Sequence, residues 1–566
     1  MMTAVLLGGS PTRHSKSLPR RAVMRRYPRI MNLLSSLLFL SNFSGCSGRL
    51  DGDAVPGETD SGVVAVEPWC AAPAEAVTYV DRAEAWGLVD TTDGEPRRKE
   101  AGAVAALDLD GDGLDELIVA HRGQGLVLHM RDGEDGPWST QVLLEARDLA
   151  GIALGDVDGD GDLDLWTGGY AEQMWLLRNE GPGEAEVLWR FEDVSEDAGL
   201  LALDTRPQKM DASFGDFDGD DDLDLYIVHA AGPGATQEWA LDKLLRNDGA
   251  GGFEDVSSWL SAEQRQGVSW SPAWADFDDD GDLDLFVANA DQASAGPSLL
   301  LENAGPSGGE SWSFVDRSDD CGCTNNFNPM GVSPGDYDND GDLDLFLTNT
   351  GSDQLLRNEG GLIFTDVSRV AGAMLLESER HMTFGSVWVD FDNDGWLDVF
   401  DTSGPLSDFP DEALDAQADR LLHNQAGTFV DIAPELGLDA RGVGRGVTRA
   451  MFNDDGFPEL VVVNLDGPSH VWQPSCTSAR ALVVSLRQDG GNTRGVGARV
   501  TLGFADGGVA VQEISAKAGW GGAMEPRAWF GLADRRVESV TVRWPDGEVQ
   551  EVQVNPGVDG RIELVR

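Results

Sequence analysis

Along this chain, an apolar, β-prone run repeatedly follows directly on a loop of alternating acids. Examples are LDLYIVHA, LDLFVANA and LDLFLTNT, each short enough and apolar enough for a buried strand. The acidic loops begin at Asp108, Asp156, Asp216, Asp276, Asp336 and Asp390, with a degraded seventh at Met451. Between them recurs LLRN or a close variant (176–179, 244–247, 300–303, 355–358 and 421–424), and after it an aromatic-x-Asp strand such as FEDV or FTDV. Each unit therefore supplies about four short strands and leaves no room for long helices, which is the content of a propeller blade. The pattern predicts an all-β fold, a seven-bladed β-propeller followed by a small β-sandwich-like domain. Segment 79–88 (YVDRAEAWGL) matches the aromatic-x-Asp strand but precedes the first loop, whereas the last loop has no such strand after it. The N-terminal strand is therefore expected to complete the last blade and remove a free sheet edge.

The loops follow D-x-D-x-D-G-x-x-D. Hard oxygens on alternating positions, with glycine allowing the tight turn, suit calcium. The candidate ligands at positions one, three, five and nine are Asp108, Asp110, Asp112 and Glu116; Asp156, Asp158, Asp160 and Asp164; Asp216, Asp218, Asp220 and Asp224; Asp276, Asp278, Asp280 and Asp284; Asp336, Asp338, Asp340 and Asp344; and Asp390, Asp392, Asp394 and Asp398. Position seven, Asp162 in the second copy, can add its carbonyl. An EF-hand would need Glu at position twelve and flanking helices, but the second copy has Thr167 there and its flanks read as strands. Asp and Gly also make good turns, yet turn chemistry does not call for acids on alternating positions six times over. The third copy places Asp221 where glycine is expected, so its turn should be strained. The seventh has Met451, Asn453, Asp455 and Glu459 and should bind weakly or not at all.

Charge sharpens this picture. The chain has 566 residues and a formal net charge of −58, which disfavours nucleic acid and calls for a cation to offset repulsion among the repeats. Residues 1–50 depart from the rest: they hold no acid, several arginines, and an apolar run from Ile30 to Phe43. A basic stretch before a short apolar core reads as an export signal, with the start at Met1, Met24 or Met31. The run ends at Phe43-Ser44-Gly45-Cys46, which resembles a bacterial lipobox with Phe in place of the usual Leu. Lipidation at Cys46 and plain cleavage near Gly45 both remain open, giving an outer-membrane lipoprotein or a secreted protein. Export permits disulfides. Cys70 and Cys476 flank the expected ring closure and are candidates to lock it. Cys321 and Cys323 form a loop disulfide or are two separate thiols.

The loops with their LLRN and F-x-D companions resemble FG-GAP/VCBS repeats of integrin-α-like propellers. The stretches MGVSPGDYDNDGDLDLFLTNTGSDQLLRNEG (330–360) and FGSVWVDFDNDGWLDVF (384–400) resemble the cartilage acidic protein family and its bacterial relatives. Beyond residue 478, NTRGVGARVTL (492–502), Gly519-Trp520, AWFGLAD (528–534) and VTVRWPDGEVQEV (540–552) resemble an ASPIC/UnbV domain. The resulting organisation is an export segment at 1–46, an acidic linker at 47–74, the propeller at 75–476 and the C-terminal domain at 478–566. No catalytic constellation is evident. Gly331-Val332-Ser333-Pro334-Gly335 matches G-x-S-x-G but runs into an acidic loop rather than a helix, and the seven histidines form no H-E-x-x-H. The expectation is a monomeric, surface-exposed calcium-binding module, with several Ca2+ per chain and a protein or glycan ligand. Membrane contact would come only through the lipid, and an extracytoplasmic enzyme or biosynthetic auxiliary protein is the alternative.

Overall fold

A computed structural model describes residues 74–566, apart from 89–101, 122–124, 132, 135, 146–148, 170–173, 185–186, 204–208, 231–240, 291–295, 309–310, 325–327, 375–380, 406–416, 466–467 and 555–557. The expected export segment with Cys46, the expected linker apart from Ala74, and Cys70 within it lie outside these residues.

Each acidic loop joins the first two strands of an antiparallel sheet. In the fifth sheet the strands are Pro329–Gly335, Asp344–Asn349, Gln354–Asn358 and Phe364–Asp366, adjacent in that order. The apolar run after the loop is the second strand and is wholly buried, as its lack of polar alternation predicts. In the second to sixth sheets LLRN or its variant forms the third strand and aromatic-x-Asp the fourth; the first sheet has Gly125–Arg131 and Trp138–Leu144 in these places, and the seventh has His470–Pro474 as its third strand. Among the described residues, each acidic loop, including the degraded one at Met451, joins strands of its own sheet. The first strands of successive sheets pack side by side, and that of the seventh packs on that of the first, so the arrangement closes into a ring.

The closing strand comes from the N-terminal side. Tyr79–Asp81 pairs antiparallel with His470–Pro474, Val80 opposite Gln473. Asp81 reinforces the pairing by accepting from His470 Nδ1 at 2.7 Å and from the Val471 N–H at 3.2 Å. Cys476 is disulfide-bonded; Cys70, its expected partner, is outside the described residues. Cys321 and Cys323 are joined to each other.

Near the ring axis the first strands crowd. A Cβ on Gly385 would meet the Arg445 carbonyl at 2.5 Å, and one on Gly446 would meet the carbonyls of Gly102 and Gly521 at the same distance. Only glycine fits such approaches.

The C-terminal domain is two facing sheets. One holds Arg527–Gly531, Ala481–Arg487 and Gly560–Val565; the other holds Val509–Glu513, Arg499–Phe504, Val537–Arg543 and Val549–Gln553. Leu482, Val484, Val500, Leu502, Val540 and Val542 fill the space between them, as their alternation along each strand requires. A hairpin leaves this sandwich and enters the ring. Its strands, Lys517–Ala518 and Gly522–Met524, extend the first propeller sheet, the latter running parallel to Val104–Leu107. At its tip Trp520 is fully buried, 5.9 Å from the Trp270 ring and 5.5 Å from the Phe384 ring.

Candidate metal centres

The loops share one hydrogen-bond scheme. The position-one carboxylate turns the backbone around itself: Asp336 accepts from the N–H groups of Asp340 and Gly341 at 3.1 and 3.0 Å, and Asp156 from those of Gly159, Asp160 and Gly161 at 2.9, 3.2 and 2.9 Å. Asp108, Asp216, Asp276 and Asp390 act in the same way. Position five accepts from the N–H two residues on, as Asp340 does from Asp342 and Asp112 from Leu114; Asp160, Asp220, Asp280 and Asp394 repeat this. Position nine returns to the loop start. Glu116, Asp164, Asp224, Asp284, Asp344 and Asp398 each accept from the N–H at position two, between 2.9 and 3.2 Å. The longer Glu116 thus fills the role of Asp.

Position three is different. Oδ1 of Asp158, Asp218, Asp278, Asp338 and Asp392 is buried and has no hydrogen-bond partner. A buried carboxylate oxygen without a partner is costly unless a cation or a proton satisfies it. Carboxylate oxygens from positions one, three and nine lie within 4.8 Å of one another in the first three loops, with Asp110 as the position-three member in the first. In the fourth loop the grouping is Asp276, Asp278 and Asp280. Burial, with repulsion from neighbouring acids, pushes Asp284, Asp344 and Glu116 up to about 9 and Asp108, Asp216 and Asp336 up to about 7. Asp164, Asp224 and Asp398 are raised well above the ordinary range for the same first reason, loss of solvent. These residues fit a hard divalent cation, whose charge would offset that repulsion and whose coordination would use the free oxygens.

Two loops depart as their sequences anticipated. Asp221 sits at φ 73°, in the left-handed region that glycine occupies in the sister loops, and its carboxylate accepts from Gln488 of the C-terminal domain at 2.8 Å. In the seventh loop the Asn453 amide donates to Glu459 at 2.7 Å, and the position-one residue is the apolar Met451. An amide donor thus occupies what in the other loops is a cluster of acceptors.

The C-terminal domain reaches every loop, which the sequence did not reveal. Arg561 meets the Gly113 carbonyl and Asp454, Thr493 donates to Asp156, and Gln488 to Asp221. Arg543 pairs with Asp276 at 2.6 Å and with Asp279 at 2.7 Å, and Arg499 spans Asp279 and the Gly341 carbonyl. The Ala533 N–H donates to the Asn393 carbonyl. An arginine-bearing cap thus covers the acidic face of the ring. Ser333 of G-x-S-x-G lies within a strand, its hydroxyl 2.8 Å from that of Ser386, not on a strand-to-helix elbow.

The FG-GAP-like repeat family matches residues 108–167, 228–287 and 336–400, and the ASPIC and UnbV family matches residues 488–565. Cartilage acidic protein 1 of Homo sapiens is 25% identical over 507 residues, spanning 82% of this chain and 72% of its own length, and the Mus musculus protein is 25% identical over 503 residues, spanning 81% and 72%. Among solved structures, an Agrocybe aegerita lectin that recognises non-reducing terminal N-acetylglucosamine aligns with a TM-score of 0.37 and 16% identity, over 66% of this chain and 88% of its own. The chain thus combines FG-GAP-like repeats with a C-terminal ASPIC and UnbV domain and is similar to cartilage acidic protein 1 over four-fifths of its length.

Proposed function

We propose that this chain is an extracytoplasmic calcium-binding propeller that acts as a binding, adhesion or structural module rather than as an enzyme. The observation that carries the calcium reading is the set of five position-three carboxylate oxygens, each buried, each without a partner and each in a loop rich in further carboxylates. In the second loop Asp156, Asp158 and Asp164 would hold the ion, and the corresponding residues would do so in loops one and three to five, while Asp390, Asp392 and Asp398 would offer a divalent ion of the sixth loop the same carboxylates. The seventh loop, already satisfied by Asn453 and Glu459, would not. Bound calcium supplies positive charge that lets the acidic ring close, and binding to the folded state alone stabilises it by about 2.7 kcal/mol per site at a hundredfold excess over Kd. Export is supported by the basic and apolar N-terminal segment and by disulfide bonding at Cys321, Cys323 and Cys476. Cys46 would carry the lipid where the protein is anchored. The cap occupies the acidic face, so a protein or glycan ligand would meet the opposite face or the outer strands.

Elemental analysis of the purified chain, with thermal melts before and after EGTA, tests this. The expected result is several calcium ions per chain and a melting temperature that falls on chelation and recovers with added Ca2+. A calcium-free protein whose melt ignores EGTA would remove the reading.

A further inference from the structure

The sixth loop carries a donor that its sisters lack. Where the second, third and fifth sheets place Arg178, Arg246 and Arg357 in the third strand, the sixth places His423. Its Nε2 lies 3.7 Å from Asp392 Oδ2 and 3.9 Å from Asp394 Oδ2, and the three donors cluster within 4.8 Å of one another. Nε2 is buried and has no hydrogen-bond partner, and the same is true of Asp392 Oδ1. The Phe391 ring stands edge-on to the imidazole at 5.2 Å and limits its rotation.

An imidazolium balancing the two acids would close to hydrogen-bond distance, about 2.7–2.9 Å for a charge-assisted pair. The chain contains such a pair: His470 Nδ1 sits 2.7 Å from Asp81. His423 instead stands about 1 Å further off from both acids. Two donors each about 2.1 Å from a tetrahedral ion stand roughly 3.4 Å apart, so the spacing leaves room for one ion between the imidazole and the two carboxylates. Imidazole nitrogen suits borderline transition metals, whereas calcium prefers oxygen throughout. We infer that the sixth loop is a distinct metal site, in which Asp392, Asp394 and His423 select a zinc-class divalent ion over calcium. The inference rests on reading these loops as cation sites and adds that one of them differs in kind.

The test uses the full chain, wild type and His423→Arg, the latter restoring the residue of the sister sheets. Both proteins are dialysed against millimolar Ca2+ with micromolar Zn2+ and analysed for both metals. One zinc per chain in the wild type and none in His423→Arg, with calcium counts no lower, supports the inference. Zinc absent from the wild type, or bound equally by both proteins, overturns it. Calcium absent from every loop with one zinc retained through His423 would remove the calcium reading and leave this one standing. Should His423→Arg misfold, 113Cd NMR of the cadmium-loaded wild type decides. One resonance well downfield of the all-oxygen group is the expected signature of the nitrogen donor, and its absence overturns the inference.

Discussion

The backbone N–H of Asn358 donates to Oδ1 of Asp344 at 2.8 Å, which ties the third strand of its sheet to position nine of the acidic loop. The Asn358 side-chain amide donates at the same distance to the Phe277 carbonyl in the loop of the preceding sheet. Asn247, Asn303 and Asn424 repeat both contacts. The Asn of LLRN is therefore a bolt between neighbouring sheets as well as within one, which explains why it recurs where its arginine does not.

Asn358→Ala should remove the bridge and leave the Phe277 carbonyl without its donor, at a cost of about 1–3 kcal/mol. Arg357→Ala should cost close to nothing, because its pairing with Glu359 is substantially exposed. Chemical denaturation of the two variants in saturating Ca2+ separates the cases. Equal midpoints would mean that the bridge carries no stability.

Asp338→Ala should lower the calcium count by one and leave the other loops filled, because each sheet contacts mainly its neighbours. Asn453→Ala in the seventh loop should leave the count unchanged, since no ion is expected there. Elemental analysis of both variants against wild type checks each expectation. Loss of several ions from Asp338→Ala would show that the loops fill cooperatively.

Much of this architecture was legible because it is local. The apolar run after each loop, the spare strand at 79–88 and the strained Asp221 can all be recognised within one repeat. The seventh loop's departure from the shared acceptor set likewise follows from Met451 and Asn453 alone. Contacts that join distant repeats were not legible. Asn358 lies 81 residues from Phe277, and Arg543 lies 267 residues from Asp276. Neither pairing leaves a mark in hydrophobic periodicity. Gly519-Trp520 was visible as a signature, but its seat inside the ring was not, because the hairpin belongs to neither sheet of its own domain.

Metal-free protein should lose stability as pH rises. Burial, with the charge of nearby acids, holds Asp284 and Asp344 at about 9 and Asp336 at about 7 in the folded chain. The unfolded chain releases these protons near pH 4. A raised folded-state pKa stabilises the fold fully below the unfolded value, and that contribution is lost as pH climbs through the folded value. The melting temperature in EGTA should therefore fall from pH 5 to pH 8. With saturating Ca2+ the decline should shrink, because the ion binds the deprotonated acids, so the gap between the two melts widens with pH. A gap that narrows would contradict the assignment of these acids to cation sites.

Trp520→Ala tests whether the cap and ring are one mechanical unit. Trp520 is fully buried against Trp270 and Phe384, and removing such a ring costs about 3–5 kcal/mol. Nearby, Lys517 pairs with the buried Asp211 at 2.5 Å, so a loosened hairpin would also expose an unpaired acid. The expected outcome is faster hydrogen exchange across 517–524 and Val104–Leu107, the strand it pairs with. Tyr79–Asp81 should stay protected, because it is held by His470–Pro474 and not by the cap. Val370→Ala, at a position 80% exposed, is the control and should change neither. Faster exchange at Tyr79–Asp81 equal to that at 517–524 would mean that ring closure depends on the cap. Unchanged exchange everywhere would mean that the arginine contacts to the acidic loops hold the cap in place without the hairpin.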